Sequence, residues 1–398
     1  MTKFPIVFRA LFLLGALASY AACGGGGTES PGKYQVPTPV AGKFNVAFIY
    51  IGPHDDGGWT QSHDLGRQYV EQNVPQVATA YVESIPEGAE AEQVTRALAR
   101  KGFDAIIGTS FGYMDAMETV AREFPRIRFL HLTGYKNNGS NFGSLFGAME
   151  SMKYLAGMIA GARAKADGVP RIGYIATFPI PEELRLGNAF AIGIRQSCPE
   201  CKLDVRWINT WHDPVKEKDA AASLFDAGAQ VVMSGADSPA NAQVALERKK
   251  YAITYDYIGN CTLDSCLTTM YWNWGPIYAA DIRKMQDGSW RGGSEYFDVD
   301  AGGMGLYGFM EAQNVKPGVP PEVIPRVKET LTAMLAGTFT RFNVFAGEIR
   351  DNTGKIIVPA GERLAQEDLD QFPGGVVRCR YCMYWWYENV LAELPKLK

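Results

Sequence analysis

Aromatic rings and carboxylates in this chain gather at one kind of place, immediately after short apolar runs. After residues 46–51 stands Asp55-Asp56-Gly57-Gly58-Trp59-Thr60-Gln61-Ser62, and after 104–108 stands Thr109-Ser110-Phe111-Gly112-Tyr113-Met114-Asp115. Further on come Phe178-Pro179-Ile180-Pro181, Asn209-Thr210-Trp211-His212-Asp213-Pro214, Gly235-Ala236-Asp237-Ser238, Tyr255-Asp256-Tyr257 and Trp272-Asn273-Trp274. Aromatic faces stack a planar heterocycle, each contributing roughly 1 kcal/mol or more. Carboxylates and amides bond ring nitrogens and hydroxyls, and such contacts discriminate strongly when buried. Asp56, Trp59, Thr60, Phe111, Asp115, Phe178, Trp211, Asp237, Asp256, Trp272 and Asn273 are therefore the expected ligand contacts. An Asp in such a place also suits the cap of the next helix, and an aromatic suits a core. Recurrence in both halves of the chain favours a ligand site.

Signals for catalysis are sparse. Gly108-Thr109-Ser110-Phe111-Gly112 matches G-x-S-x-G between an expected strand and helix, the setting of a hydrolase nucleophile. Its base would be a later histidine, but His212 falls in the other half, and a serine without an adjacent base is a poor nucleophile. No H-E-x-x-H and no phosphate-binding loop occurs. Gly303 to Gly308 fits G-x-G-x-x-G without a flanking strand and helix. Asp56, Asp115 and Asp256 could converge as paired carboxylates. The expectation is a binding protein with no catalytic residue, metal or cofactor; a nucleoside hydrolase is the enzymatic alternative.

The elements that must position these residues follow from periodicity. Strands are expected at 46–51, 80–83, 104–108 and 127–132, with helices at 59–72, 90–100 and 113–124 between them. The pattern repeats: strands at 172–176, 205–208, 231–234, 252–255 and 268–271, helices at 182–196, 214–227 and 237–248. Strands separated by helices mean βαβ units and parallel sheets. The fold class is α/β, two doubly wound lobes whose strand ends face a shared cleft. A small-residue helix at 154–164 would link them. Beyond 300, a helix at 321–335, a hairpin of 342–349 with 355–358 around Asp351-Asn352-Thr353-Gly354, and a terminal helix at 384–391 are expected.

The bulk properties agree. The chain has 398 residues, 46% hydrophobic and 21% charged, enough for two lobes. A formal net charge of −4 gives no electrostatic reason to expect nucleic acid. Lys3 and Arg9 precede a short apolar stretch at 10–18, the layout of a secretory leader rather than a membrane span. Ser19-Tyr20-Ala21-Ala22-Cys23 then resembles a lipoprotein signal, with Tyr20 where Leu is usual and Cys23 the residue to be lipidated. The Gly-, Pro-, Ser- and Thr-rich segment to residue 43 reads as a tether. In an oxidising compartment Cys198/Cys201, Cys261/Cys266 and Cys379/Cys382 are expected as local disulfides. The expected division is a leader at 1–22, a tether at 23–43, lobes at 44–150 and 151–290, and an extension at 291–398.

Together the runs Asp56 to Ser62, Gly108 to Asp115, Trp211-His212-Asp213-Pro214 and Tyr255-Asp256, with the tail Gly337-Thr338-Phe339, Gly347, Asp351, Gly354 and Val358-Pro359-Ala360-Gly361, resemble the BMP family of basic-membrane-protein, purine nucleoside receptor A-like lipoproteins. The resemblance implies a type I periplasmic-binding-protein fold that closes on a ligand, serving an ABC permease outside the cytoplasm, on the periplasmic face of a membrane, as a monomer. It implies a base clamped between Trp59 and Trp211, sugar hydroxyls held at Asp256, and a base edge met by Asp115. Nucleoside binders carry a Lys where this chain has Trp272. That departure points to a purine base without its sugar; a nucleoside and another flat ring such as a flavin are the alternatives, as is a sensor rather than an importer.

Overall fold

The computed structural model describes residues 33–375 and 377–394; the leader, Cys23 and the first part of the tether lie outside them. Apolar strands need cover on both faces, and most are followed by a helix that supplies it. The first set runs β1 (Phe44–Ile49), α1 (Trp59–Asn73), β2 (Val77–Val82), α2 (Ala89–Lys101), β3 (Ala105–Gly108), α3 (Met114–Glu123), β4 (Arg128–Leu132) and β5 (Phe142–Gly147). After the linking helix α4 (Met149–Ala166) the second set runs β6 (Arg171–Ala176), α5 (Pro181–Ser197), β7 (Lys202–Trp207), α6 (Pro214–Asp226), β8 (Val231–Ser234), α7 (Ala240–Glu247), β9 (Tyr251–Asp256), β10 (Cys266–Trp272) and α8 (Trp274–Asp287). Two strands then return to the sheets, β11 (Ser294–Phe297) and β12 (Met304–Leu306). The tail adds α9 (Ile324–Leu335), α10 (Arg341–Val344), the short ladder β13 (Ile349–Arg350) with β14 (Ile356–Val358), and α11 (Gln366–Asp370).

One sheet has the order β11-β5-β4-β3-β1-β2, the other β12-β10-β9-β8-β6-β7. All pairings in the first are parallel; in the second only β12 runs antiparallel, beside β10. Within each, the order 2-1-3-4-5 is the doubly wound one, with ligand crevices at the strand carboxyl ends. The α/β class with two such sheets is as the sequence implied. Glycines let α4 and α5 approach closely at the centre. A Cβ on Gly157 would stand 2.2 Å from the Phe190 carbonyl oxygen, and one on Gly193 2.0 Å from that of Tyr154. The sulfurs of Cys198 and Cys201 are 2.05 Å apart, as are those of Cys261 and Cys266; Cys379 and Cys382 are also bridged.

Three local expectations differ. β5 has no counterpart in the sequence reading, because Phe142-Gly143-Ser144-Leu145-Phe146-Gly147 breaks its apolar run with glycines. Gly143 needs none of a side chain's bulk, since a Cβ there would meet the Gly293 carbonyl oxygen at 2.7 Å. Residues 342–344, expected in a strand, are helical instead, where Thr340 and Asn343 close a capping box. The expected helix at 384–391 is instead irregular chain with a turn at 387–390, where Val390 N–H donates to Tyr387 O at 2.9 Å. It lies along the free edge of β7, with Leu203 N–H donating to Asn389 O (3.0 Å) and Leu391 N–H to Leu203 O (2.8 Å). Buried Asn188 holds it from the other side, donating to Trp385 O (2.8 Å) and accepting from Tyr387 N–H (2.8 Å). These tertiary hydrogen bonds outweigh the local helical preference. Asn188→Ala should therefore cost about 2–3 kcal/mol of unfolding free energy, having orphaned two buried backbone groups. Denaturant unfolding checks this; a loss below about 0.5 kcal/mol would contradict it.

Candidate ligand site

A narrow cavity opens where the carboxyl ends of the two sheets face each other. The first sheet supplies Ile51 and Trp59 after β1, Ser110 and Phe111 after β3, and Thr133 after β4; the second supplies Glu182, Glu183, Trp211, Gly235, Asp237, Tyr255 and Asp256.

The turn after β1 is built to present Trp59. Asp56 accepts from the amides of Gly58 (2.8 Å), Thr60 (3.0 Å) and Gln61 (2.9 Å), satisfying donors at the start of α1. The Trp59 indole N–H donates to Thr109 O at 2.6 Å. Its ring meets His63, Trp272 and Trp274 edge-on at 4.2, 5.8 and 5.7 Å. A donor bond and three edge contacts fix the ring rigidly beside the cavity. Across from it, Trp211 packs on Phe178 at 4.8 Å, and its indole N–H is buried with no partner. Gly58 is one point where the two halves touch, since a Cβ there would stand 1.9 Å from the Asp237 carbonyl oxygen.

Acidic side chains dominate the second half's wall. Burial pushes Asp237 well above the usual carboxylate range, with the charges of Asp256, Asp56 and Glu217 adding to it. Burial raises Asp256 as well, opposed by the Lys153 ammonium and by a bond from the Trp272 indole N–H to Oδ1 at 2.9 Å. Glu182 is pushed up to about 8 by burial against the Arg185 charge. Lys153 is fully buried behind the wall, its Nζ 3.4 Å from the Tyr255 ring centre and without a hydrogen-bond partner. Burial pulls it down to about 8, while Glu183, Asp256 and Glu182 hold it up. Thr133 has φ of +64°, a left-handed value that a β-branched residue rarely takes, and Asp256 has +65°, which Asp adopts more readily.

Of the expected contacts, Trp59, Phe111, Trp211, Asp237 and Asp256 stand together in the wall. Asp56 and Thr60 lie just beneath it, spent on the turn: the Thr60 hydroxyl accepts from Gly52 N–H. Phe178 backs Trp211, and Trp272 backs Asp256. Asp115 and Asn273 are elsewhere. Asp115 is exposed on α3 and ion-paired to Lys136 at 2.8 Å; Asn273 donates to Gly302 O. Sequence reasoning did not select Ile51, Ser110, Thr133, Glu182, Glu183, Gly235 or Tyr255 as contacts. The strand-end rule would have found Thr133, directly after β4; Glu182 and Glu183 were hidden in the first turn of α5. The Ser110 hydroxyl donates to Glu87 at 2.6 Å. His131, a nearer histidine than His212, turns its Nε2 to the Ser110 backbone carbonyl at 2.9 Å rather than to the hydroxyl.

Two outcomes follow. Gly58→Ala should keep the sheets from meeting and raise the radius of gyration in small-angle scattering; an unchanged radius would contradict the contact. Glu217, in the first turn of α6, accepts from the Ser238 hydroxyl of the loop after β8 at 2.8 Å, and burial raises it from 4.5 to about 7. Across that window the folded protein keeps a proton the unfolded chain has released, so stability falls as pH rises. Glu217→Gln should flatten the fall in melting temperature between pH 4.5 and 7; identical pH slopes would refute the assignment.

Residues 43–322 match the family model described as Bmp, ABC transporter substrate-binding protein PnrA-like. A purine-binding protein of Brucella abortus is 34% identical over 330 residues, covering 82% of this chain and 90% of that protein. A Haloferax volcanii protein provisionally named an ABC transporter glucose-binding protein is 34% identical over 259 residues, 65% of each chain. Among solved structures, solute-binding proteins of ABC transporter systems from Conexibacter woesei and Aeropyrum pernix share the fold. Their TM-scores are 0.59 and 0.63 at 20% and 17% identity. Each covers 74% of this chain, and 97% and 92% of its own length is matched. The chain belongs to the Bmp family, the PnrA-like substrate-binding proteins of ABC transporters, which act outside the cytoplasm and hand a small molecule to a membrane permease.

Proposed function

We propose that this substrate-binding protein captures a purine, with the free base favoured over the nucleoside, between Trp59 and Trp211. The observation that carries the reading is that these two indoles, rooted in opposite sheets, line one cavity whose remaining wall is acidic. A flat ring between them would gain two stacking contacts. Asp237 and Asp256 would meet its polar edge with their carboxyl oxygens. The Brucella relative's name favours a purine. Trp272 favours a ligand without sugar: its indole occupies one oxygen of Asp256, the group that the family resemblance assigns to ribose. Phe111 completes the wall; Asp56, Thr60, Phe178 and Trp272 act by holding those that touch the ligand. In this reading residues 1–22 are removed, Cys23 carries the lipid, the segment to residue 43 tethers the two lobes, and the three cysteine pairs are oxidised in the exported protein.

Calorimetry with adenine, hypoxanthine, adenosine, guanosine and glucose tests this. Purine bases should bind at micromolar Kd or tighter, quenching or shifting Trp fluorescence, and Trp211→Ala should cost about tenfold or more. Binding of glucose, with every purine weaker than about millimolar, would overturn the purine reading in favour of a sugar.

A further inference from the structure

The tail beyond residue 322, outside the stretch that matches the family model, closes a ring of polar side chains around the places where the chain crosses between the two halves. The chain crosses between β5 and α4, between β10 and α8, and between β11 and β12. The first and last of these meet at Tyr296 of β11, Asp298 just after it, and Glu150 and Ser151 in the first turn of α4. Arg185 of α5 reaches Glu150 at 2.8 Å, the Tyr296 hydroxyl at 3.0 Å and Asp370 of α11 at 2.7 Å. Asp370 accepts from the Gln366 amide at 2.9 Å, and the Gln366 carbonyl accepts from Arg341 Nε at 2.8 Å. Arg341 closes the ring by donating to Asp298 at 3.2 Å, and Asp298 accepts from the Ser151 hydroxyl at 3.0 Å. Inside the ring, the Arg341 guanidinium lies 4.4 Å from the centre of the Tyr296 ring. α4 packs on α5, α10 on α4 and α11 on α5, so Tyr296, paired into the first sheet through β5, is where this assembly takes hold of that sheet.

We propose that the tail is a strap across the hinge, with Arg341 and Asp370 holding Tyr296 so that the two sheets stay drawn together and a bound ligand leaves slowly. The clasp lies beside the ligand site. Arg185, Tyr296 and Asp370 wall a second narrow chamber that joins the main cavity at Phe111, Thr133 and Glu182. Phe146 also lines that chamber, and its ring centre is 5.9 Å from that of Tyr296, 5.3 Å from Trp272 and 6.3 Å from Trp59. A swing of the first sheet about the crossings therefore shifts Tyr296 against two guanidiniums and Phe146 against Trp59. A guanidinium suits the clasp because it is planar, always charged, and able to pair with a carboxylate while covering an aromatic face. Arg185 and Glu150 are buried, so breaking their contacts would leave an unanswered charge away from water, which favours the one geometry that satisfies both. The inference does not depend on which molecule is bound.

Arg341→Met and Tyr296→Phe in the full-length protein test the strap. Arg341→Lys keeps the charge, and Arg195→Met breaks a different tie between tail and α5, the Arg195–Glu388 pair (2.9 Å) at the other end of that helix. Small-angle scattering of the proteins dialysed free of ligand should give a larger radius of gyration for Arg341→Met than for wild type, with Tyr296→Phe between them. Arg341→Lys should return toward wild type, and Arg195→Met should match it. Adenine dissociation, followed by stopped-flow Trp fluorescence, should quicken about threefold to tenfold in Arg341→Met, the worth of one or two hydrogen bonds. An Arg341→Met radius equal to that of wild type would overturn the strap, and so would an unchanged dissociation rate. An equal expansion in Arg195→Met would overturn it too, since any loosening of the tail would then suffice. If adenine does not bind the wild type, the purine reading falls and the scattering alone decides the strap.

Discussion

Asp237, Asp256, Glu182 and Glu183 are taken out of water around one cavity, with the Lys153 ammonium buried behind them and unpaired. Nothing in folding rewards that arrangement. Removing a carboxyl from water costs several kcal/mol unless it is neutralised or bonded, and burial here raises the proton affinity of all four. Strain is kept in the same wall, where the β-branched Thr133 holds left-handed backbone. Clustered acids, raised proton affinities and strained backbone at the mouth of two sheets are the marks of a place shaped for something other than stability.

The rest of the structure holds this wall in place. Asp56 ties the turn after β1 through three amides, so Trp59 enters the cavity at a fixed angle and Thr109 pins its indole. Trp272 and Trp274 stack on each other at 4.7 Å behind it. They sit at the passage from β10 to α8, which packs against α1 where Gly66 makes room for Trp274. The aromatic cluster thus couples the ligand wall to a crossing of the chain between the two sheets. Trp272 does two things there: it supports Trp59 edge-on and binds Asp256. A lysine there could bind Asp256 but not support Trp59 with a ring edge, so the exchange of Lys for Trp alters the shape of the site as well as its charge.

Much of the architecture was legible because parallel strands buried on both faces write continuous apolar runs, and the residues after them are by geometry the ones that meet a ligand. That rule placed Trp59, Phe111, Trp211, Asp237 and Asp256, which line one cavity. It failed where a residue's role is decided by a partner far along the chain. Asp115 follows β3 as the rule asks, yet Lys136 draws it to the surface. Glu182 looks like an acidic first-turn residue of α5, and only the second chamber and its unpaired oxygen distinguish it. The tail from Tyr384 carries a plausible helical pattern, but the open edge of β7 and the amide of Asn188 claim its backbone. β5 was hidden by its glycines, whose purpose lies in the chain that crosses above them.

The central claim is that one flat guest is stacked by Trp59 from the first sheet and by Trp211 from the second. A crystal structure of the protein with the small molecule it carries through purification tests this most directly. Electron density for a planar ring with both indoles in van der Waals contact on its two faces, and Asp237 or Asp256 at its edge, is the expected result. A ligand lodged elsewhere, or a non-planar one touching only one of the two indoles, would contradict the account.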